Sequence, residues 1–506
     1  MSPIDVTIIV VYLLGSMLIG LLLRGKNEST DDFFIASGGL TSLFSNIVVG
    51  LSIASALFSG ISFVMYPSVV YTTGLTVIAG SILICMPVSY LVLRYWFLPR
   101  YLAHGCRFPY DILEARFGRN TRMLASGLFA FMRIGWMAAM VYAPTLAIMT
   151  MGKLDDRWFW PLILAQGLSS TIFTVLVGVR GVVITDALQM IVIGLGIAAT
   201  IVFALTQLPV PLSVAWNEVA NSGRLLNVDF SLDPTAKLTF WTIIIGIIVS
   251  NLGNYVADQM SLQRYLATGT LKAAGRSFVF NVIGVYIVLL LLAGIGLSLF
   301  VYYSHVHDPT LPMRNGAIDP DRVFPHFVAN NLPTGIAGLL MAGIMAASSM
   351  TPGINTVAGV LTVDFHARIW PSTTPARQLR WARRYSLIIG FIATLVAGSL
   401  KNARGLFELV QVMVGVFAGP LLACVVISVT SIRCSGLAMS LGMIVGCVAG
   451  MIASRTSLAG LWVAPLSVVT TTLVALAVAA LDGSLFRASA GTEPAAFPIA
   501  IKEAKP

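Results

Sequence analysis

Between Gly335 and Asp364 the chain reads GIAGLLMAGIMAASSMTPGINTVAGVLTVD. That is long enough to cross a bilayer. Yet its middle carries Ser348, Ser349 and Thr351, followed by Pro352, Gly353 and Asn355. In hydrocarbon each of these oxygens needs a partner. Hydroxyls beside carbonyls freed from a helix make an oxygen cage, which is what a dehydrated cation such as sodium requires. Small hydroxylated residues also let helices pack closely, so the cluster alone leaves both readings open.

Two other apolar stretches have similarly irregular centres. Residues 45–67 read SNIVVGLSIASALFSGISFVMYP, and 248–266 read IVSNLGNYVADQMSLQRYL. Glycine and polar residues at mid-span predict helices that unwind where they line a cavity. Sodium needs roughly five oxygens at that depth. An unwound 45–67 exposes carbonyls near Ser55 and Phe58; Ser348 and Ser349 add hydroxyls, with the Met345 carbonyl one turn earlier. Arg133 lies about 16 Å into its own span by helical rise. Its sharper role is counter-charge to an anion; its plainer one is a structural pair with Asp186 or Asp258, or a stem that snorkels. Asp258 is placed to gate the inner half of its broken span or to pair with Arg264.

These residues need a membrane around them, and the composition supplies the case. The chain has 506 residues, 57% hydrophobic and 10% charged, with a mean hydropathy of +0.89. That excludes an ordinary soluble domain. The net charge of +10 sits in short loops between apolar runs, so it is no nucleic-acid signal. Five scattered cysteines have no metal-ligand spacing and read as free thiols. The pattern predicts thirteen spans, near 3–23, 42–68, 72–96, 122–150, 157–178, 182–206, 239–260, 276–303, 333–363, 381–400, 407–431, 435–453 and 458–481. Most of the 31 basic residues fall in segments that would be cytoplasmic if the N-terminus is outside and the C-terminus inside. PYDILEARFG (109–118) reads as a short surface helix, the segments 207–238 and 304–332 as covers of an outer vestibule, and 482–506 as a disordered cytoplasmic tail. The irregular second and seventh spans are five apart, as equivalent first helices of an inverted repeat would be. No nucleophile motif, phosphate loop or kinase-like tail is visible, so an enzyme is not expected and the drive should be ionic.

Taken in order, DDFFIASGGL (31–40), the span ending at Pro67, PYDILEARFG, GVRGVVITDALQ (178–189), DQMSLQRYLA (258–267) and MAASSMTPGIN (345–355) resemble the sodium:solute symporter family. The resemblance covers nearly all of 3–480, and MVYAPTLA (140–147) leans toward the branch of iodide, monocarboxylate, multivitamin and sialic acid carriers. It implies an all-α, multi-pass protein of the leucine-transporter fold. Within a transporter domain at 1–481, it implies one extra helix at 3–23, five-helix repeats at about 42–206 and 239–431, and two extra helices at 435–481. It implies a sodium site at Ser55, Phe58, Met345, Ser348 and Ser349, and in some relatives a second at positions matching Asp186, Ser348 and Thr351. Pro352 gives no hydroxyl where those relatives have one.

The positions matching the family's solute contacts are Leu57, Ser59, Ser62, Ser81 and Trp136, with an inner gate at Met260. Trp136 replaces the carboxylate-binding arginine of the sialic acid carrier, and Leu57 replaces the acidic residue of the proline carrier. What is left is small, fairly apolar and hydroxyl-bearing; Phe63, Met65, Tyr66, Met137 and Met140 are further expected walls. The expected function is sodium-coupled import of a small organic anion, such as a monocarboxylate, across the plasma (inner) membrane. The alternatives are a sodium symporter for a neutral sugar or amino acid, and a solute-sensing membrane domain. Partners are sodium, the solute and the bilayer, with no nucleic acid and no obligate protein partner expected.

Overall fold

The computed structural model describes residues 2–22, 50, 53, 58, 60–106, 109–267, 270–314, 316–402 and 405–485, with backbone alone at 177–184, 186–188, 190, 264, 266–267, 375–376 and 402. Among the described residues, ten helices are long and apolar enough to cross a membrane. The chain runs α1 (Pro3–Leu22), α2 (Gly60–Thr73), α3 (Thr76–Ala103), α4 (Asp111–Phe117), α5 (Arg119–Gly152), α6 (Phe159–Thr206), α7 (Leu212–Asn221) and α8 (Phe240–Leu252). It continues through α9 (Gln259–Ala267), α10 (Leu271–His305), α11 (Pro320–Asn331), α12 (Ile336–Ala347), α13 (Thr351–Val360), α14 (Pro375–Ser399), α15 (Leu406–Ser428), α16 (Gly436–Ala453) and α17 (Val463–Leu481). One two-stranded hairpin, Met313–Arg314 against Ala317–Ile318, precedes α11.

Where a loop was expected near 179–181, the backbone of α6 keeps a helical pattern throughout its 48 residues. A straight helix of that length would be about 72 Å, more than twice a hydrocarbon core. The packing shows that the chain turns back instead. From Gln166 to Thr174 the first arm descends along the ninth span from Met345 to Thr351. From Ile193 to Gly196 the second arm climbs the same span from Gly343 to Leu340. Two antiparallel arms therefore bracket α12, as two separate spans would.

The predicted break in the seventh span is present. After α8 the backbone makes a π-turn over Gly253–Ala257, and Asp258 is extended at ψ 122°. Asp258 Oδ1 then accepts from Met260 N at 2.8 Å and so caps α9. In the second span Phe58 is not helical and a helix starts at Gly60, while Ser55, Leu57 and Ser59 lie outside the described residues.

The ninth span is broken as well, which the sequence reading did not foresee. Helix α12 ends at Ala347 and α13 starts at Thr351. Pro352 lies in the first turn of α13, where its missing N–H costs little. A Cβ on Gly353 would stand 2.7 Å from Met137 Sδ, so glycine there lets α13 approach α5. At the other end of α12, Asp5 of α1 accepts from Gly335 N at 2.8 Å and Gly338 N at 3.1 Å. That carboxylate serves amides a helix N-terminus leaves unpaired.

The bundle has two recognisable ends. One carries the short helix α4, as expected for 109–118. The other carries α7, the hairpin and α11, which fold the polar segments 207–238 and 304–332 over the spans.

Candidate functional site

The breaks in the second and ninth spans meet. A Cβ built on Gly60 would fall 1.7 Å from Ser348 Oγ and 2.6 Å from the Ile344 carbonyl. Only a glycine allows that approach. Ser348 is fully buried, and its hydroxyl donates to the Ile344 carbonyl at 2.8 Å. Phe58 is buried two residues before Gly60. So Phe58 and Ser348 lie where the unwound second span faces the broken ninth.

Ser349 has different neighbours. Its hydroxyl lies 2.6 Å from Thr351 Oγ1 and 3.2 Å from Ser170 Oγ. Thr174 Oγ1 donates to Thr351 Oγ1 at 2.9 Å, and Met350 N donates to Ser170 Oγ at 2.7 Å. The Met345 carbonyl accepts from Gln166 Nε2 at 3.0 Å. The helix tightens at its end: Ser349 N bonds the Ala346 carbonyl at 3.0 Å, and Ser348 N reaches the Met345 carbonyl at 3.2 Å, which Gln166 therefore shares. Gln166, Ser170 and Thr174 are four residues apart and form one polar face of α6. The sequence reading missed them, because isolated hydroxyls on an apolar helix look like packing residues. For the expected second cation set, Thr351 is in this seam, and the Asp186 side chain lies outside the described residues.

Against this junction lies a cavity of about 100 Å³. That is room for a handful of waters or one small organic solute. Phe58, Ser62, Ser81 and Trp136 line it, as do the expected walls Met65 and Tyr66. Phe63, Met137, Met140 and Met260 do not, although all four are buried. Its polar wall is richer than expected: Ser250, Asn251 and Asn254 come from the irregular seventh span, and Gln411 from α15. Ser250 Oγ is 3.4 Å from Gln411 Oε1, and Trp136 Nε1 is buried with no hydrogen-bond partner. Among the described residues, no charged side chain lines this cavity.

The charges sit elsewhere. Arg133 pairs with Asp258, one of the two partners weighed for it, and the Arg264 side chain lies outside the described residues. Near the α4 end, Arg122, the first residue of the expected span 122–150, is a hub. It reaches Asp111 at 2.5 Å, Glu114 at 2.9 Å and Asp364 at 2.6 Å. Ser126 Oγ donates to Asp364 Oδ2 at 2.5 Å, and Arg368 grips Glu114 through both terminal nitrogens. The Arg368 hydrogen bonds, opposed by burial and helped by the Arg122 charge, hold the Glu114 carboxyl below its usual range.

Comparison with known proteins places this arrangement. The human sodium/iodide cotransporter is 29% identical over 472 residues, covering 91% of this chain and 69% of that protein. The human sodium-coupled monocarboxylate transporter 2 is 28% identical over 405 residues, covering 79% of this chain and 63% of that protein. The solved outward-open, substrate-bound structure of a Na+-coupled sialic acid symporter has the same fold. Its TM-score is 0.81 at 23% identity, over 95% of this chain and 98% of that one. Residues 33–446 match the model of the sodium:solute symporter family. A match over most of the chain settles what the junction of broken helices belongs to: this protein is a member of the sodium:solute symporter family, a sodium-coupled carrier and not an enzyme.

Proposed function

We propose that the protein imports a small organic monoanion, a monocarboxylate, together with sodium across the plasma (inner) membrane. The carrying observation is the uncharged cavity that shares Phe58 with the sodium junction. A bound sodium supplies the positive charge that the cavity wall lacks. The anion in turn stabilises the ion, which is the reciprocity coupled transport needs. The Trp136 N–H, the amides of Asn251, Asn254 and Gln411 and the Ser62 hydroxyl are donors of the size and number a carboxylate accepts. Sodium is held at Ser55, Phe58, Met345, Ser348 and Ser349, with Ser348 central.

The transporter unit in this reading has thirteen spans, with its N-terminus outside. The repeats at about 42–206 and 239–431 lie between the helix at 3–23 and the pair at 435–481. The second arm of α6 and the 25-residue α14 support this count beside the ten apolar helices, which already include the first arm. One sodium entering down about 100 mV releases ~2.3 kcal/mol, and a tenfold gradient adds ~1.4 kcal/mol. Moved one-to-one with a monoanion, the ion keeps only the gradient part, because the cycle carries no net charge.

The three carboxamides favour a second reading, a neutral polar solute. Counterflow in proteoliposomes separates the two. Labelled pyruvate should exchange only with sodium present, and be displaced by lactate but not by glucose or proline. Sodium-dependent exchange of glucose or proline, with none of pyruvate, would overturn the monoanion reading.

A further inference from the structure

Arg133 and Asp258 lie just below the solute cavity on the way to the α4 end. Arg133 is three residues before Trp136 on α5, about 4.5 Å along the helix, and α5 starts beside α4. Asp258 follows Asn254 through the π-turn, a step in the same direction. Arg133 is 4% exposed and Asp258 fully buried. The two are unequally held. Asp258 has a second partner in the Met260 amide, which it keeps whether or not Arg133 is present. Arg133 grips Asp258 through Nη2 and lies 5.8 Å from the centre of the Phe129 ring. Its Nε is buried with no hydrogen-bond partner. A guanidinium has five N–H groups in a fork that fits a carboxylate with two parallel bonds.

Further along lies a second, smaller space of about 20 Å³, walled by Tyr110, Gln259, Gln263, Arg122 and Asp364. It holds little more than a water. There too a donor is unserved, since Gln259 Nε2 is buried without a partner. The pair therefore stands between the cavity and this smaller space. Because the cavity wall is uncharged, the first cation an anion would meet on leaving inward is Arg133.

We propose that Arg133 is a transfer subsite for an oxyanion: its guanidinium exchanges Asp258 for the carboxylate of the solute as the solute leaves the cavity inward. This rests on the monoanion reading above. Asp258 is not abandoned in the exchange, because it keeps the Met260 amide and Arg133 stays beside it with a second edge of its fork, the unpartnered Nε side, free for the solute. The exchange gives the departing anion a partner in a region where an unpaired charge is prohibitive.

The test is uptake of labelled pyruvate in proteoliposomes by wild type, Arg133→Gln, Arg133→Lys and the double variant Arg133→Gln/Asp258→Asn. The double variant leaves no unpaired buried charge, so it stays folded by sodium-dependent thermal shift. A transfer subsite predicts that maximal rate falls tenfold or more in Arg133→Gln and in the double variant. KM for pyruvate and half-saturating sodium stay within twofold, and Arg133→Lys recovers much of the rate. A merely structural pair predicts that the double variant turns over like wild type; that result overturns the proposal. A rise in KM at unchanged maximal rate also overturns it, by placing Arg133 in the main cavity. Wild type that moves neutral solutes but no pyruvate refutes the monoanion reading instead, and the subsite falls with it.

Discussion

The central cavity and the α4 end are both buried and polar, but they are built from opposite materials. The polar part of the cavity wall is serine, asparagine, glutamine, tyrosine and one indole N–H, set among apolar side chains, with no charge among the described residues. The α4 end is a knot in which Arg122 meets three carboxylates and Arg368 grips one of them again. Neutral donors hold a solute loosely enough to release it. A buried ionic hub holds helices, because removing one member leaves the others unpaired in low dielectric. The knot joins α4, the start of α5 and the π-turn Leu361–His366 after α13, so it closes one end of the bundle.

That contrast can be broken first at the hub. Arg122→Met should destabilise the protein by about 3–5 kcal/mol. It would be read as a large drop in melting temperature in detergent, partly restored when Asp364→Asn is added. An unchanged melting curve would mean the knot is not structural. Gly60→Ala comes next: the new methyl would overlap Ser348 Oγ. Sodium-dependent uptake should fall about a hundredfold, and the overpacking should also lower the stability without sodium by about 1–3 kcal/mol. If sodium dependence is intact, the junction is not the ion site.

The serines divide next. Ser348→Ala should raise half-saturating sodium about tenfold, the loss of roughly one good oxygen contact. Ser349→Ala should raise it less, since that hydroxyl is shared with Ser170 and Thr351. Equal effects would erase the distinction between the two faces. Gln411→Leu should raise KM for pyruvate about fivefold, near 1 kcal/mol, and leave stability alone.

The smallest effect concerns pH. The Glu114 carboxyl is held below its usual range, so its contribution is complete above the unfolded value and fades as pH falls below it. The melting temperature should decline from pH 6 toward 4, and less steeply in Glu114→Gln. A titration that Glu114→Gln does not alter would detach this residue from the knot.

How far the sequence could be read follows from whether a residue's partner is near it. Gly253, Asn254 and Asp258 announce the seventh-span break by themselves, because each disfavours a continuous helix locally. The hydroxyls at 348–351 were visible, but the break was not, since Ser348–Met350 has no local signal stronger than Pro352 beside it. Pro352 does not mark the break, because a proline in a first turn starts a helix as readily as a central one ends it. Gln411 went unnoticed because its partner Ser250 is on a different span. The Arg122 hub was not legible because Asp364 is 242 positions away. The Arg133–Asp258 pair was foreseeable as one of two options, since an arginine at that depth must find an acid.

The carboxylate of Asp5 has a practical bearing. Its helix lies outside both proposed repeats, yet Asp5 holds the start of the same span that carries Ser348. Ser2 also bonds that carboxylate, through its amide at 3.0 Å and its hydroxyl at 2.8 Å. An affinity tag or fluorescent fusion placed directly before Ser2 would therefore perturb the measured sodium response from a distance. Reporter fusions to this carrier are better attached after the last helix, and Asp5→Asn makes a control for any fusion that must go at the front.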